Sequence, residues 1–121
     1  MSLRDVVNRS SELARAGDVG AALALLDVEL AKGESVGLLT RHAAVLSEAA
    51  GDLERARRYY EEGVRCSPRD PMALYGLATI LEKLGLREEA RAQARAAYAE
   101  CRDSVALVEM IERLYGTDRQ T

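Results

Sequence analysis

The sequence has no Trp and no Phe; its aromatic content, 4%, consists of five Tyr. Base-stacking platforms are correspondingly scarce. Two Pro and nine Gly in 121 residues exclude collagen-like and low-complexity chains. The two Cys, Cys66 and Cys101, and the single His, His42, are too far apart in sequence for the ligand spacing of a tetrahedral zinc site. Both Cys are expected to be reduced thiols. No stretch of about 18 apolar residues is present to cross a membrane. Met1-Ser2-Leu3-Arg4-Asp5 meets charge at once and lacks a signal peptide's apolar core, so a cytoplasmic location is expected. Glycine-rich phosphate loops and nucleophile elbows are missing. His42 has Arg41 and Ala43 beside it and no carboxylate to orient it, so no triad runs through it. Basic residues (17) do not outnumber acidic ones (20), and the net charge is −3. A phosphate-neutralising face is not indicated. Neither an enzyme, a cofactor, a metal nor a nucleic-acid partner is expected.

What is present is helix-forming. Ala, Leu, Arg and Glu dominate, and 48% of the chain is hydrophobic, enough for a core. Gly17, Gly51 and Gly85 fall 34 residues apart, and Ala22, Ala56 and Ala90 repeat that interval. Such a period defines stacked supersecondary units. In the third unit Asp70-Pro71 opens a helix, with Asp as cap and Pro in the first turn. Leu74, Leu77, Ala78, Leu81 and Leu84 then form one apolar stripe before Gly85 closes it. Glu88 and Glu89 start a second helix carrying Ala90, Ala94 and Ala97. The second unit repeats this plan with Leu38 to Ala50 and Leu53 to Gly63, and the first is a weaker copy. After Asp103-Ser104 one further helix runs to Gly116, giving seven helices. Glu54 with Arg58 and Glu61 with Arg65 are expected to pair along the fourth helix.

The period and its side chains resemble the tetratricopeptide repeat family. Ser10, Ala44 and Ala78 stand at the family's small-residue position, Ala22, Ala56 and Ala90 at its second-helix alanine, and Leu26 and Tyr60 at its large apolar position. The third copy departs there with Ala94, and only Pro68 matches the closing proline. The resemblance implies an all-α, right-handed α-solenoid of three antiparallel helix pairs plus one capping helix. One domain, 1–116, would hold repeats at about 3–36, 37–70 and 71–104, a cap at about 104–115 and a flexible tail at 117–121.

It further implies a concave groove lined by the first helix of each unit. Carried over, the family's ligand-facing positions are Arg4, Val7, Asn8 and Ser11; Leu38, Arg41, His42 and Val45; and Met72, Tyr75, Gly76 and Thr79. The groove is expected to bind a peptide or partner protein, with Asn8, Leu38, Arg41, His42, Val45, Met72, Tyr75 and Thr79 as its contacts. Met72 and Tyr75 would be its anchors, and Tyr75→Glu is expected to charge the groove without touching the core. The carboxylate clamp of one subclass is disfavoured, because Val7, Ser11, His42, Met72 and Gly76 stand at its positions. Two alternatives remain open: a small bacterial-type secretion chaperone shielding a hydrophobic client, and homo-oligomerisation through Val108, Ile111 and Leu114 of the last helix.

Overall fold

The computed structural model describes residues 1–116, which form α1 (Leu3–Arg15), α2 (Val19–Leu30), α3 (Val36–Ala49), α4 (Leu53–Cys66), α5 (Pro71–Lys83), α6 (Arg87–Glu100) and α7 (Val105–Gly116). Among the described residues there is no strand. The expected flexible tail, 117–121, lies outside them.

One local device makes every turn within a pair. Gly17, Gly51 and Gly85 have φ of +88°, +83° and +80°, a region glycine enters without a Cβ clash. The N–H groups of Asp18, Asp52 and Leu86 donate to the carbonyls of Leu13, Ser47 and Leu81, each at 2.9 Å. This closure satisfies carbonyls that a helix end would otherwise leave bare. Asp18 and Asp52 then cap the following helix, accepting from Ala21 N–H and Arg55 N–H at 3.0 Å. Leu86 provides no such cap, and Glu88 and Glu89 supply first-turn negative charge instead. Asp70 accepts from Met72 N–H at 3.0 Å with Pro71 in the first turn, as the sequence indicated. The link between the first two units is different: Ser35 adopts a left-handed φ of +52° and caps nothing.

Small residues set how closely the helices approach. Ser10, Ala44 and Ala78, and likewise Ala22, Ala56 and Ala90, are fully buried at the same phase of each unit. Larger side chains fill the space between units. Tyr60, Leu77, Ile80 and Leu81 share a cluster with Ala94, Met110 and Leu114, while Val6, Leu23, Leu26 and Leu39 form another. Burial of Leu26, Ile80, Met110 or Leu114 stabilises by about 1.5–3 kcal/mol each. The third unit's shortened Ala94 is thus accompanied by Met110 and Leu114 of α7 in one core.

α7 is also held at its end. Arg91 donates from Nε and Nη2 to the Leu114 carbonyl at 3.0 and 2.8 Å, and Arg87 Nε donates to the same oxygen at 3.0 Å. Two cations therefore sit at the negative end of the helix dipole. The Arg91 guanidinium also stacks 4.6 Å from the Tyr115 ring centre.

The first helices of successive units touch directly, α1 with α3 and α3 with α5, more extensively than the second helices do. A stack whose first helices crowd together curves toward them, which puts α1, α3 and α5 on the inner side. The ion pairs expected along α4 are replaced by others. Arg57, not Arg58, reaches Glu61 at 3.5 Å, and Arg65 pairs with Glu62 three residues back rather than with Glu61. Arg57 also spans to Glu89 of α6 at 3.5 Å, a partner one repeat away that local spacing does not reveal.

Candidate functional site

On the inner side, Val7, Leu38, Arg41, His42 and Val45 line a hollow of about 340 Å³ between α1 and α3. Leu38 and Val45 are 40% and 50% exposed although Leu39, Ala43 and Ala44 between them are buried. His42 forms the edge of the hollow nearest α1. Its Nε2 lies 3.1 Å from Ser10 Oγ and 3.4 Å from Ser11 Oγ. Ser10 spends its own hydroxyl proton on the Val7 carbonyl at 3.0 Å. The neutral tautomer consistent with this network carries its proton on Nε2, which donates to Ser10. Burial pulls the His42 pKa below its usual 6.5, partly opposed by the Val7 carbonyl. The ring is therefore neutral at pH 7.

A second hollow, about 240 Å³, lies between α5 and the approach to α7. Pro71, Met72, Tyr75, Cys101, Ser104, Ala106 and Leu107 line it. Met72 is 54% exposed. Tyr75 is half-buried and packs against two core clusters, so charging it would disturb the core, contrary to the expectation from sequence.

The expected contact residues therefore separate. Leu38, Arg41, His42 and Val45 come together with Val7, and Met72 and Tyr75 belong to the second hollow. Asn8 is exposed and faces a shallow depression with Met1, Asp5, Arg9 and Glu12. Thr79 lines neither hollow; its hydroxyl donates to the Tyr75 carbonyl at 2.9 Å. Gly76 is buried beneath Tyr60 and offers nothing to a ligand. Ala106 was missed, although it stands 34 residues after Met72 and the period alone would have found it.

The outer side is polar. Asp27, Leu30, Arg55, Arg58, Tyr59 and Glu62 surround a depression of about 430 Å³. There Tyr59 donates to Asp27 at 2.7 Å, and Arg55 lies 3.6 Å from Asp27. Burial, followed by the bond to Asp27, raises the Tyr59 pKa. On α4, Arg55, Arg57 and Arg65 are each engaged by carboxylates. Among the described residues no group of three His, Cys, Asp or Glu is arranged to hold a metal, and no helix is long and apolar enough to cross a membrane. Cys66 and Cys101 are free thiols. In the last helix Leu114 is fully buried, so of the three residues considered for self-association only Val108 and Ile111 reach a surface hollow, with Arg95 and Tyr98.

Residues 37–80 match the tetratricopeptide repeat family. No curated protein matches the chain. Among solved structures, a MamA RS-1 double mutant superposes with a TM-score of 0.77 at 22% identity, over 97% of this chain and 66% of that one. The tetratricopeptide-repeat domain of Sgt2 from Aspergillus fumigatus gives 0.79 at 13% identity, over 97% and 79%. A structure of the UNC-45 chaperone, described as binding and folding muscle myosin, gives 0.75 at 19% identity, over 98% of this chain but 14% of that one. The chain thus spans just under two thirds of the first of these structures and a small part of the last. Residues 37–80 thus match the tetratricopeptide repeat model, and the described residues have the solenoid fold of the tetratricopeptide-repeat structures they superpose on, a fold whose general work is protein–protein interaction.

Proposed function

We propose that the chain is a non-enzymatic, cofactor-free adaptor that takes a protein or peptide partner along the inner face of α1, α3 and α5. One observation carries this reading. Leu38, Val45 and Met72 are 40%, 50% and 54% exposed on consecutive first helices, while Leu39, Ala43, Ala44 and Leu74 on other faces of the same helices are buried. Large side chains left in water at a shared phase mark an interaction surface.

The test is Val45→Glu combined with Met72→Glu. Both residues are exposed, so stability is expected to move by no more than about 0.5 kcal/mol each. Affinity capture with wild-type and doubly substituted protein should show one or a few partners lost with the substitutions. Loss of an unfolded, hydrophobic client rather than a folded one would select the chaperone form of the reading. Identical captures by the two proteins would remove the inner face from consideration.

A further inference from the structure

Charge on the two helices that wall the first hollow is divided unevenly. Their carboxylates are Asp5, Glu12 and Glu48, and each is engaged. Asp5 accepts from Ser2 N–H at 3.2 Å, Glu12 lies 3.7 Å from Arg9, and Glu48 pairs with Lys83 of α5. The same helices carry Arg4, Arg9, Arg15 and Arg41. Among the described residues only Arg9 of these four has an ion pair. The chain is negative overall, yet the charge left without an ion pair on these two helices is net positive. Arg41 is the one of these cations that lines it, exposed beside the apolar Val7, Leu38 and Val45. His42 adds no charge near neutral pH, because burial holds its pKa down.

An unpaired guanidinium beside an apolar floor complements a ligand that is apolar on one side and anionic at its rim. A nucleic-acid backbone would need a row of cations, and here Arg41 stands among aliphatic side chains. We infer that the hollow between α1 and α3 takes an acidic amphipathic segment of a partner protein, its aliphatic side chains on Val7, Leu38 and Val45 and a carboxylate on Arg41. The volume, about 340 Å³, lies at the lower end of the range for ligand pockets, about 300–1,000 Å³. This inference rests on the proposed use of the inner face and narrows its occupant.

The experiment is selection of a random dodecamer peptide library displayed on phage against the full chain. Binding of the enriched peptides, made with a fluorescent label, is then measured by anisotropy. Enriched peptides are expected to carry net negative charge and aliphatic residues at helical spacing. Arg41→Gln should weaken them about tenfold, the low end for loss of a charge-assisted hydrogen bond. Val45→Glu should abolish binding, and Arg58→Gln on the outer side should leave it unchanged. Raising the salt should weaken wild-type binding more than Arg41→Gln binding. Circular dichroism establishes that each variant is folded. Enriched peptides that are neutral or basic, or that bind Arg41→Gln as well as wild type while Val45→Glu blocks them, overturn the acidic occupant and leave the inner face standing. Peptides indifferent to both substitutions sink the inner face as well. Failure to enrich any peptide, or competition by a second copy of the chain, also overturns the inference.

Discussion

Gly76→Ala tests the packing between the second and third units more sharply than any large-to-small change. Gly76 sits inside α5, where alanine would ordinarily stabilise by about 0.5–1 kcal/mol through helix propensity. Here an added Cβ would lie 2.7 Å from Tyr60 Cδ1, 2.8 Å from Cζ and closer still to Cε1. The obstacle is the middle of a ring that is only 9% exposed, so it has no free end to swing away. Overpacking of this kind costs about 1–3 kcal/mol. With contacts this short the cost falls in the upper half of that range, about 2–3 kcal/mol, and subtracting a propensity gain of about 1 leaves a net loss of about 1–2 kcal/mol. With an unfolding entropy of about 2.1 cal/mol/K per residue, each kcal/mol is about 4 °C in Tm for a chain of this size. Thermal melts followed by circular dichroism should therefore place Gly76→Ala about 4–8 °C below wild type. Gly37→Ala is the control, since nothing lies within 4 Å of a Cβ there. In a Tyr60→Ala background, Gly76→Ala should reverse sign and stabilise. Equal or higher Tm for Gly76→Ala in the wild-type background would refute the steric reasoning, as would failure of the sign to reverse.

Two further outcomes follow from the caps and the buried ring. His42 has a folded-state pKa below the unfolded 6.5, so between those values the unfolded chain binds more protons. Stability should accordingly fall as pH drops through 6.5 and level off below the folded pKa, and His42→Gln should flatten that part of a Tm-versus-pH curve; an unchanged slope removes the assignment. Arg91→Met keeps much of the aliphatic stem but deletes one of the two cations on the Leu114 carbonyl, the one that donates twice. It should cost about 1–3 kcal/mol in chemical denaturation, and hydrogen exchange should show α7 opening before α5 and α6; uniform exchange across the three helices would contradict the capping role.

Helix number and helix ends were legible because their determinants are local. A glycine that takes positive φ, an Asp that caps the next helix and an alanine at the crossing point all recur at one period. The small-residue positions were legible for the same reason, and Ser10, Ala44 and Ala78 are fully buried as expected. The groove was only half legible. Register gives the face on which a side chain starts, but not whether a residue of the previous unit lies over it. Gly76 has a groove phase, yet Tyr60 from α4 covers it. Tyr75 also stands at a groove-facing position, yet it packs against two core clusters. Leu38 and Val45 stay open because α1 presents only Val7 toward their hollow, beside the His42 ring tied to Ser10. The second hollow was hidden because half of its wall, Cys101 to Leu107, comes from the linker and cap rather than from a first helix. Arg87 and Arg91 on the Leu114 carbonyl were invisible to any spacing rule, since they join residues 27 and 23 apart.

Contacts between successive units bear on the proposed use of the inner face. Tyr59 with Asp27, Arg57 with Glu89, and His42 with Ser10 each join residues 32 apart, and Arg113 with Glu82 and Arg69 with Glu100 join residues 31 apart. Each pair spans about one period, so each ties a side chain to the neighbouring unit. Exposed ion pairs of this type contribute about 0–1 kcal/mol. Their greater effect is on register, because a slip of one turn would separate all of them at once. They lie on the second helices, in the linkers and at the ends of the first helices. The middle of the inner face carries only one of them, His42 with Ser10. Leu38, Val45 and Met72 lie there, large and open to solvent, with no cross-unit tie of their own. A chain that needed those side chains for its own stability would have covered them, as α7 covers the end of the third unit with Met110 and Leu114. Their exposure is therefore what the proposed partner would cover. Stabilisation by a ligand at one free-ligand concentration should consequently be larger for wild type than for Val45→Glu, because only wild type gains affinity by burying that aliphatic surface.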